Sequence, residues 1–588
     1  MTARVRSANF RARLLIVVTL LTLVATALVV RAVDLQLLHN EFYQDQGDQR
    51  FLREIPIPTS RGAITDRNGE PLAVSTPVES LWANPQELLQ HADRIGELAR
   101  ALDVPAEPLM QKIAQRANRE FIYLRRHMNP ERAQAVLELK IPGVFSQREF
   151  RRFYPAGEIT AHVLGFTDID ERGMEGLEAA FDTWLSGEPG AKRVIRDRLG
   201  RVVENVDLVR PAVPGNDLVL SIDRRIQYLA YRALKSALHE HGASSGSVVV
   251  LDVRNGEILA MVNQPSYNPN AREFDDPGAR RNRAVTDLFE PGSVIKPFTV
   301  AAAIESGRFH PGSVIETSPG TLPLAGHVIR DVHDYGRVDL TRLLTKSSNV
   351  AATKLSMELP DEHFYDVLQR FGFGRATGAG FIGENAGVLP QPRWGTLQKA
   401  TISYGYGLSV TALQLAQAYA ALGNGGRLHP PSFVRGAHDP PRTVIDPELA
   451  GTLLGMLETV TGTDGTAQRA VVRGYRVAGK TGTSRKAGVG GYDRRYISLF
   501  AGLVPASRPR FATVVMINDP QGRDYYGGLV AAPVYAQVMD GALRLLDVPL
   551  DDARGWLVDA PERPLPAPGM PPLEAELVPE SIAGASPR

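Results

Sequence analysis

Glu290-Pro291-Gly292-Ser293-Val294-Ile295-Lys296, followed by the apolar run Phe298–Glu305 and Gly307, is the stretch that decides how this chain is read. Glu290-Pro291-Gly292 ends a loop, and the apolar run predicts a helix closed by the glycine. Ser293 then falls at the helix start, with Lys296 one turn on and on the same face. It is the only Ser-x-x-Lys in the 588 residues. A serine hydroxyl becomes a nucleophile when a neighbouring base takes its proton. A lysine can be that base only if burial or nearby positive charge lowers its pKa. Backbone N–H groups at a helix start suit a developing oxyanion. The competing interpretation is a plain helix cap with a solvated lysine.

Lysine usage sharpens the signal. Only ten of the 66 basic residues are lysine, the rest arginine. Arginine cannot lose its proton in a protein and lysine can, so lysine at 296 and again at 480 stands out. Lys346-Ser347-Ser348-Asn349 lies between two helical patterns, Asp339–Thr345 and Val350–Met357. Ser347 offers a hydroxyl for proton relay and Asn349 an amide to grip a peptide bond, although a turn with a helix cap would be spelled the same way. Lys480-Thr481-Gly482-Thr483 follows Tyr475–Ala478, which reads as a strand. Glycine there lets backbone approach a ligand closely, and two threonines with an ammonium suit a carboxylate. The three motifs in this order are far more specific than any one alone.

Gly474-Tyr-Arg-Val-Ala-Gly479-Lys480-Thr481 also matches a phosphate-binding loop in spelling. Such a loop needs a strand before it and a helix after it. The four residues between its glycines are strand-like, and Gly482–Gly491 is a poor helix start, which excludes nucleotide binding. Near-balanced charge (+1) gives no sign of nucleic acid as a partner. With no cysteine there is no disulfide or thiol chemistry, and the twelve histidines show no metal-ligand spacing, so neither metal nor cofactor is expected.

Leu14–Val30 is a charge-free apolar run of 17 residues. It would span roughly 26 Å as a helix, the short end of a bilayer crossing. Arg4, Arg6, Arg11 and Arg13 precede it, and Asp34, Glu41, Asp45 and Asp48 follow it. That asymmetry predicts a cytoplasmic N-terminus with the rest outside. Ala25-Thr26-Ala27 is spelled like a signal-peptide cleavage site but lies inside the apolar run, which favours an uncleaved anchor. Arg61–Ala73 reads as strand, Asn-Gly turn, strand, with helical patterns at 85–102, 107–116 and 130–139. The blocks Arg152–Gly157 and Met174–Glu178 hold no catalytic-type cluster, so 45–215 reads as a scaffold. After the breakers at 211–217 come strands at 218–222, 247–253, 258–262, 496–504 and 510–518, with helices at 223–239 and 531–546. Strands at both ends with helices between predict an α/β (α+β) domain, an antiparallel sheet flanked by helices.

With the three motifs in place, the chain resembles the class B penicillin-binding proteins, the monofunctional peptidoglycan D,D-transpeptidases. Within the class, the contexts of Glu290–Ser293, Lys346–Asn349 and Ser403-Tyr404-Gly-Tyr406-Gly-Leu408 look most like the septal, division-specific member, with an elongation-type enzyme as runner-up. The resemblance implies a cytoplasmic tail (1–13), a membrane anchor (14–30), a linker and pedestal of the dimerisation type (31–215), a transpeptidase domain (216–549) and a disordered tail (550–588). It implies Ser293 as nucleophile, Lys296 as base, Ser347 as proton relay, Asn349 on the donor amide and Lys480 setting the local field. Thr481, Gly482 and Thr483 would receive the substrate carboxylate. Glu290, Tyr404, Tyr406, Tyr525 and Tyr526 would line the pocket. The implied ligands are peptidoglycan stem peptides and β-lactams. The implied partners are a polytopic lipid II polymerase and other division proteins, at the inner membrane with the catalytic domain periplasmic. The segment Lys486–Tyr492 reads as a glycine-rich loop. A β-lactamase and a non-catalytic division scaffold are the rival classes; the first would need a group to activate water, which the motifs do not supply.

Overall fold

The computed structural model describes residues 10–34, 52–196, 202–271, 276–437, 439–488 and 491–553. The expected tail from 550 falls outside these except for its first four residues, and the expected cytoplasmic tail lies outside them up to residue 9. Helix α1 (Phe10–Val33) extends the apolar run by a turn at the N-terminal end and by three residues beyond Val30. Its stretch Arg11–Val33 has a mean hydropathy of 2.5, long and apolar enough to cross a membrane, and no protein surface covers it. Ala25-Thr26-Ala27 is helical throughout.

Three strands, β1 (Leu52–Ile57), β6 (Gly190–Arg196) and β7 (Val202–Arg210), form a small antiparallel sheet in the order β1-β6-β7. The larger pedestal sheet centres on β3 (Pro71–Ala83), which pairs with β2 (Ile64–Thr65), β4 (Ile122–Met128) and β5 (Val144–Phe153). Helices α2 (Ile95–Leu102), α3 (Ala106–Ala114) and α4 (Pro130–Glu138) bury Leu98, Ile113 and Val136 with Leu81 and Leu124 of the sheet. The pattern expected as one helix over 85–102 is broken, because His91 leaves helical geometry at φ −120°, ψ 42°.

The scaffold blocks meet in a buried ion cluster. Glu178, fully buried, accepts from Arg61 Nε at 2.7 Å and Arg152 Nε at 2.6 Å. Arg61 reaches on to Asp182 (2.7 Å), and Arg152 to the Gly62 carbonyl (2.8 Å). Two buried arginines and the buried Glu178 thus neutralise one another where water cannot, with the partly exposed Asp182 at the edge, a structural use of charge. The pedestal is stitched to the next part by the parallel pairing of β2 with β8 (Leu218–Val219). The Asn270 side chain, in turn, bonds the Tyr154 backbone N–H (2.9 Å) and C=O (3.0 Å).

The second part is built on a five-stranded antiparallel sheet of β9 (Ser245–Asp252), β10 (Ile258–Gln264), β11 (Ala478–Gly488), β12 (Gly491–Val504) and β13 (Phe511–Asn518), in the order β10-β9-β13-β12-β11. Helices α5 (Arg224–His241) and α10 (Gly527–Leu545) pack together on one face and α9 (Ala412–Gly423) on the other. This is why β9 and β13 are apolar at consecutive positions instead of alternating: both faces are covered. The α/β reading holds.

Two local expectations need correction. Tyr475–Ala478 is not a strand. Val472 and Tyr475 close a tight turn, and β11 begins only at Ala478, so the Lys-Thr-Gly motif lies inside the strand. Of the expected loop Lys486–Tyr492, Lys486–Gly488 and Gly491–Tyr492 are strand, with β11 and β12 paired as far as Gly488 with Gly491; residues 489–490 lie outside the described residues. A strand, not a helix, therefore follows the loop-like glycine spelling at 474–481.

Candidate active site

Ser293 sits in a 3-10 turn, Gly292–Ile295, and the α-helix proper, α6 (Lys296–Glu305), begins three residues later than the spacing predicts. Pro297 explains the offset, since proline favours the first helical turn, where no N–H is needed. The turn is held rigidly. Tyr419 OH donates to the Val294 carbonyl (2.8 Å), and the Gly292 N–H to the Gly405 carbonyl (3.0 Å). A Cβ on Gly405 would stand 2.0 Å from the Gly292 oxygen, so only glycine fits there. On the other side, a Cβ on Gly482 would meet the Pro291 oxygen and Val294 at 3.0 Å. The glycine of Lys-Thr-Gly lets β11 lie against the serine turn.

Ser347 and Asn349 come from a junction between α7 (Leu340–Lys346) and α8 (Asn349–Met357). Ser347 takes the left-handed conformation, φ 61°, that ends α7, and Ser348 caps α8 by accepting from the Ala351 N–H. The reversal aims Ser347 and Asn349 at α6. Lys296, fully buried, places Nζ 2.5 Å from the Ser347 carbonyl, 2.7 Å from Asn349 Oδ1 and 3.2 Å from Ser347 Oγ. Lys480, also fully buried, donates to the same Ser347 Oγ (3.0 Å) and to the Thr481 carbonyl (3.1 Å). One hydroxyl therefore bridges two lysines.

The electrostatics follow. Burial drives the Lys296 amine well below its ordinary value and the Lys480 charge pushes the same way, against the pull of Asp331. Burial brings Lys480 down to about 7. A hydroxyl between two amines can donate to the one lacking a proton and accept from the one that keeps it. This geometry suits one neutral and one charged lysine.

Asp331 gives no sign of itself in the sequence. It follows the hairpin of strands Thr321–Leu324 and His327–Arg330 and sits over the start of α8. Its carboxylate accepts from the Ser348 hydroxyl (2.5 Å) and from the Asn349 (2.5 Å) and Val350 (3.0 Å) N–H groups. The Asn349 amide donates to the Arg330 carbonyl (3.0 Å). Thr466 is a second such residue, 2.8 Å from Thr481 Oγ1. Each belongs to the site through long-range packing, with no local spelling to mark it.

Thr483 Oγ1 accepts from the Gly527 N–H (3.0 Å), which brings Tyr525 and Tyr526 beside the Lys-Thr-Gly strand. Those two rings stack at 4.6 Å, with Tyr525 also on Tyr496 at 4.1 Å. Tyr404 and Tyr406 stand 5.9 Å apart, and the Tyr406 hydroxyl accepts from the Arg485 N–H (3.1 Å). Glu290 accepts from the Gly407 N–H (2.7 Å) and the Tyr492 hydroxyl (3.0 Å); burial nonetheless raises its carboxyl. The Ser293 hydroxyl, half-buried, makes no hydrogen bond among the described residues. Among those residues, no three His, Asp or Glu side chains group as a metal site.

Chains of known identity are similar to this one in sequence and fold. The family model described as the penicillin binding protein transpeptidase domain matches residues 246–540, and that of the penicillin-binding protein dimerisation domain matches 56–220. The chain is 45% identical over 534 residues to peptidoglycan D,D-transpeptidase FtsI of Escherichia coli K12, covering 89% of this chain and 90% of that one. It is 44% identical over 543 residues to the probable peptidoglycan D,D-transpeptidase PbpC of Pseudomonas aeruginosa, covering 92% and 96%. Its fold resembles penicillin-binding protein 3 of Mycobacterium tuberculosis, solved with aztreonam, with a TM-score of 0.64 at 28% identity over 84% of this chain and 98% of that one. Matched along the pedestal and the sheet domain alike, and by such relatives over most of its length, this chain belongs to the penicillin-binding protein transpeptidases.

Proposed function

We propose that this protein is a membrane-anchored serine D,D-transpeptidase that cross-links peptidoglycan stem peptides at the division septum through an acyl-enzyme at Ser293. The observation that carries the reading is the doubly bridged Ser347 hydroxyl, with a buried, deprotonation-prone Lys296 on one side and Lys480 on the other. Neutral Lys296 takes the Ser293 proton as Oγ attacks the carbonyl of the penultimate D-alanine. Backbone N–H groups of Ser293 and Thr483 hold the oxyanion. The C–N bond breaks, and Ser347 passes a proton to the departing D-alanine amine. Asn349 grips the donor amide. Lys480, Thr481 and Thr483 receive the substrate carboxylate, on a strand that Gly482 lets pack against the serine turn. Tyr404, Tyr406, Tyr525 and Tyr526 wall the pocket, with Glu290 at its edge. An amine of a neighbouring stem then attacks the ester, forms the cross-link and frees Ser293. A β-lactam acylates the same oxygen.

The division of the chain into anchor, pedestal (31–215) and transpeptidase domain (216–549) accompanies this reading. The arginines before the apolar run Leu14–Val30 and the acidic residues after it support a cytoplasmic N-terminus and a periplasmic catalytic domain. A polytopic lipid II polymerase is the partner that fits an anchor joined to a pedestal. Peptide mapping by mass spectrometry after penicillin treatment tests the chemistry, with the adduct expected on the Ser293 peptide. An adduct elsewhere would refute it. Depletion tests the place of action: filaments are expected, whereas rounding would assign the enzyme to elongation.

A further inference from the structure

Two of the three catalytic segments are also joined through a piece of chain that carries no reacting group. Residues 459–467 follow the helix Pro447–Glu458 and fold as a tight loop, closed by the Ala467 N–H on the Val460 carbonyl (2.9 Å). Gly465 makes the bend possible, since a Cβ there would stand 2.0 Å from the Val460 oxygen. Two hydroxyls of the loop hold the Lys-Thr-Gly segment. Thr461 Oγ1 donates to the Val477 carbonyl (2.7 Å), and Thr466 Oγ1 stands 2.8 Å from Thr481 Oγ1. Two other residues hold the end of α7. Thr459 Oγ1 lies 2.5 Å from Thr345 Oγ1, and Lys346 Nζ donates to the carbonyl (2.9 Å) and to the carboxylate of Asp464.

Lys346 immediately precedes Ser347. Successive residues of one turn therefore bond the Lys-Thr-Gly unit twice, Lys346 through the loop and Ser347 directly, by accepting from Lys480 at 3.0 Å. Ser347 sits in the left-handed conformation, φ 61°, which a serine adopts only when its surroundings impose it. A hydroxyl that bridges two amines also works over a few tenths of an ångström, because hydrogen bonds weaken steeply with distance and angle. The Asp464 side chain is 65% exposed, and an ion pair so open to water adds little to folding stability. Its value lies in where it fixes Lys346. On the transpeptidase reading, we infer that Asp464 is a positioning residue for acylation: by clasping Lys346 it sets the end of α7 against β11 and holds the Ser347 hydroxyl in register with Lys480. Asp464 meets no reacting atom and acts through Lys346.

The test mixes full-length protein in detergent with a fluorescent penicillin over a range of concentrations, which separates the dissociation constant of the first complex from the limiting acylation rate. Asp464→Ala and Lys346→Met should each lower the limiting rate about tenfold, the effect of a small misplacement, and leave the dissociation constant within about twofold of wild type. The double variant should be no slower than either single one, because each removes the same clasp. Raising salt from about 0.05 to 0.5 M should narrow the gap between wild type and Asp464→Ala, since only the wild type has a pair to screen. Unfolding temperatures should agree. Asp464→Ala acylating within about twofold of wild type would overturn the assignment, as would a loss confined to the dissociation constant. Single effects that multiply in the double variant, a gap that salt leaves unchanged, or a matching fall in unfolding temperature would overturn it too. In each of these cases acylation of the wild type leaves the transpeptidase reading standing, whereas a wild type that takes up no penicillin would remove both.

Discussion

Lys296 and Lys480 are the residues on which the chemistry turns, and they separate by what burial does to each. Neither can be replaced by arginine without losing a proton acceptor or the geometry around Ser347. Ser293→Ala should abolish covalent penicillin labelling and leave the unfolding temperature unchanged; residual labelling would point to another nucleophile. The pH dependence has a definite sign. Acylation should fall on the acid side as Lys296 takes up a proton. It should fall again above about 7 as Lys480 loses its charge, and Lys480→Gln should remove that second limb. A wild-type rate that climbs steadily to about pH 10 would instead report an ordinary lysine.

At the scale of elements, the site is an agreement among three segments that the chain keeps far apart. Asp331 secures one of them by capping α8 with three hydrogen bonds. Asp331→Asn should lower acylation about tenfold and stability by about 1–3 kcal/mol, read from stopped-flow labelling and thermal unfolding. The motif residues were legible because their chemistry is carried by spelling: Ser-x-x-Lys, Ser-x-Asn and Lys-Thr-Gly each have local spacing. The sheet was legible because buried strands are apolar and bounded by breakers. Asp331 and Thr466 were not, since each contributes through a contact that only tertiary packing creates. The misplaced strand at 475–478 has a similar cause. Its β-branched and aromatic residues suit a strand, but Gly474, at φ 84°, turns the chain just before them. Ala487 and Gly488 misled in the opposite direction, because pairing with Tyr492 and Gly491 of β12 makes strand of what glycine-rich composition suggests is loop.

Across the whole molecule, the pedestal holds its shape with buried charge. Glu178→Ala would leave Arg61 and Arg152 buried without their shared partner, at a cost of about 3–5 kcal/mol, seen as a lowered unfolding temperature. Glu149 makes the pedestal acid-sensitive. Burial raises its carboxyl, but hydrogen bonds from His127, Ser80, Arg126 and Tyr123 outweigh it and hold the group at about 2. Because the folded value lies below the unfolded one, its stabilising contribution is complete above the ordinary glutamate range and is lost as pH falls towards 2. Hydrogen-exchange protection at residues 144–153, taken relative to the intrinsic rate at each pH, should therefore fall between about pH 4.5 and 2 in the wild type and change less in Glu149→Gln.

The most direct test of the whole account is the second-order rate of acylation by a β-lactam in Lys296→Arg, measured beside the wild type. A side chain that keeps its positive charge but cannot accept a proton should bring acylation to the limit of detection. Acylation at a near-normal rate would contradict the claim that a deprotonated amine at this position activates Ser293.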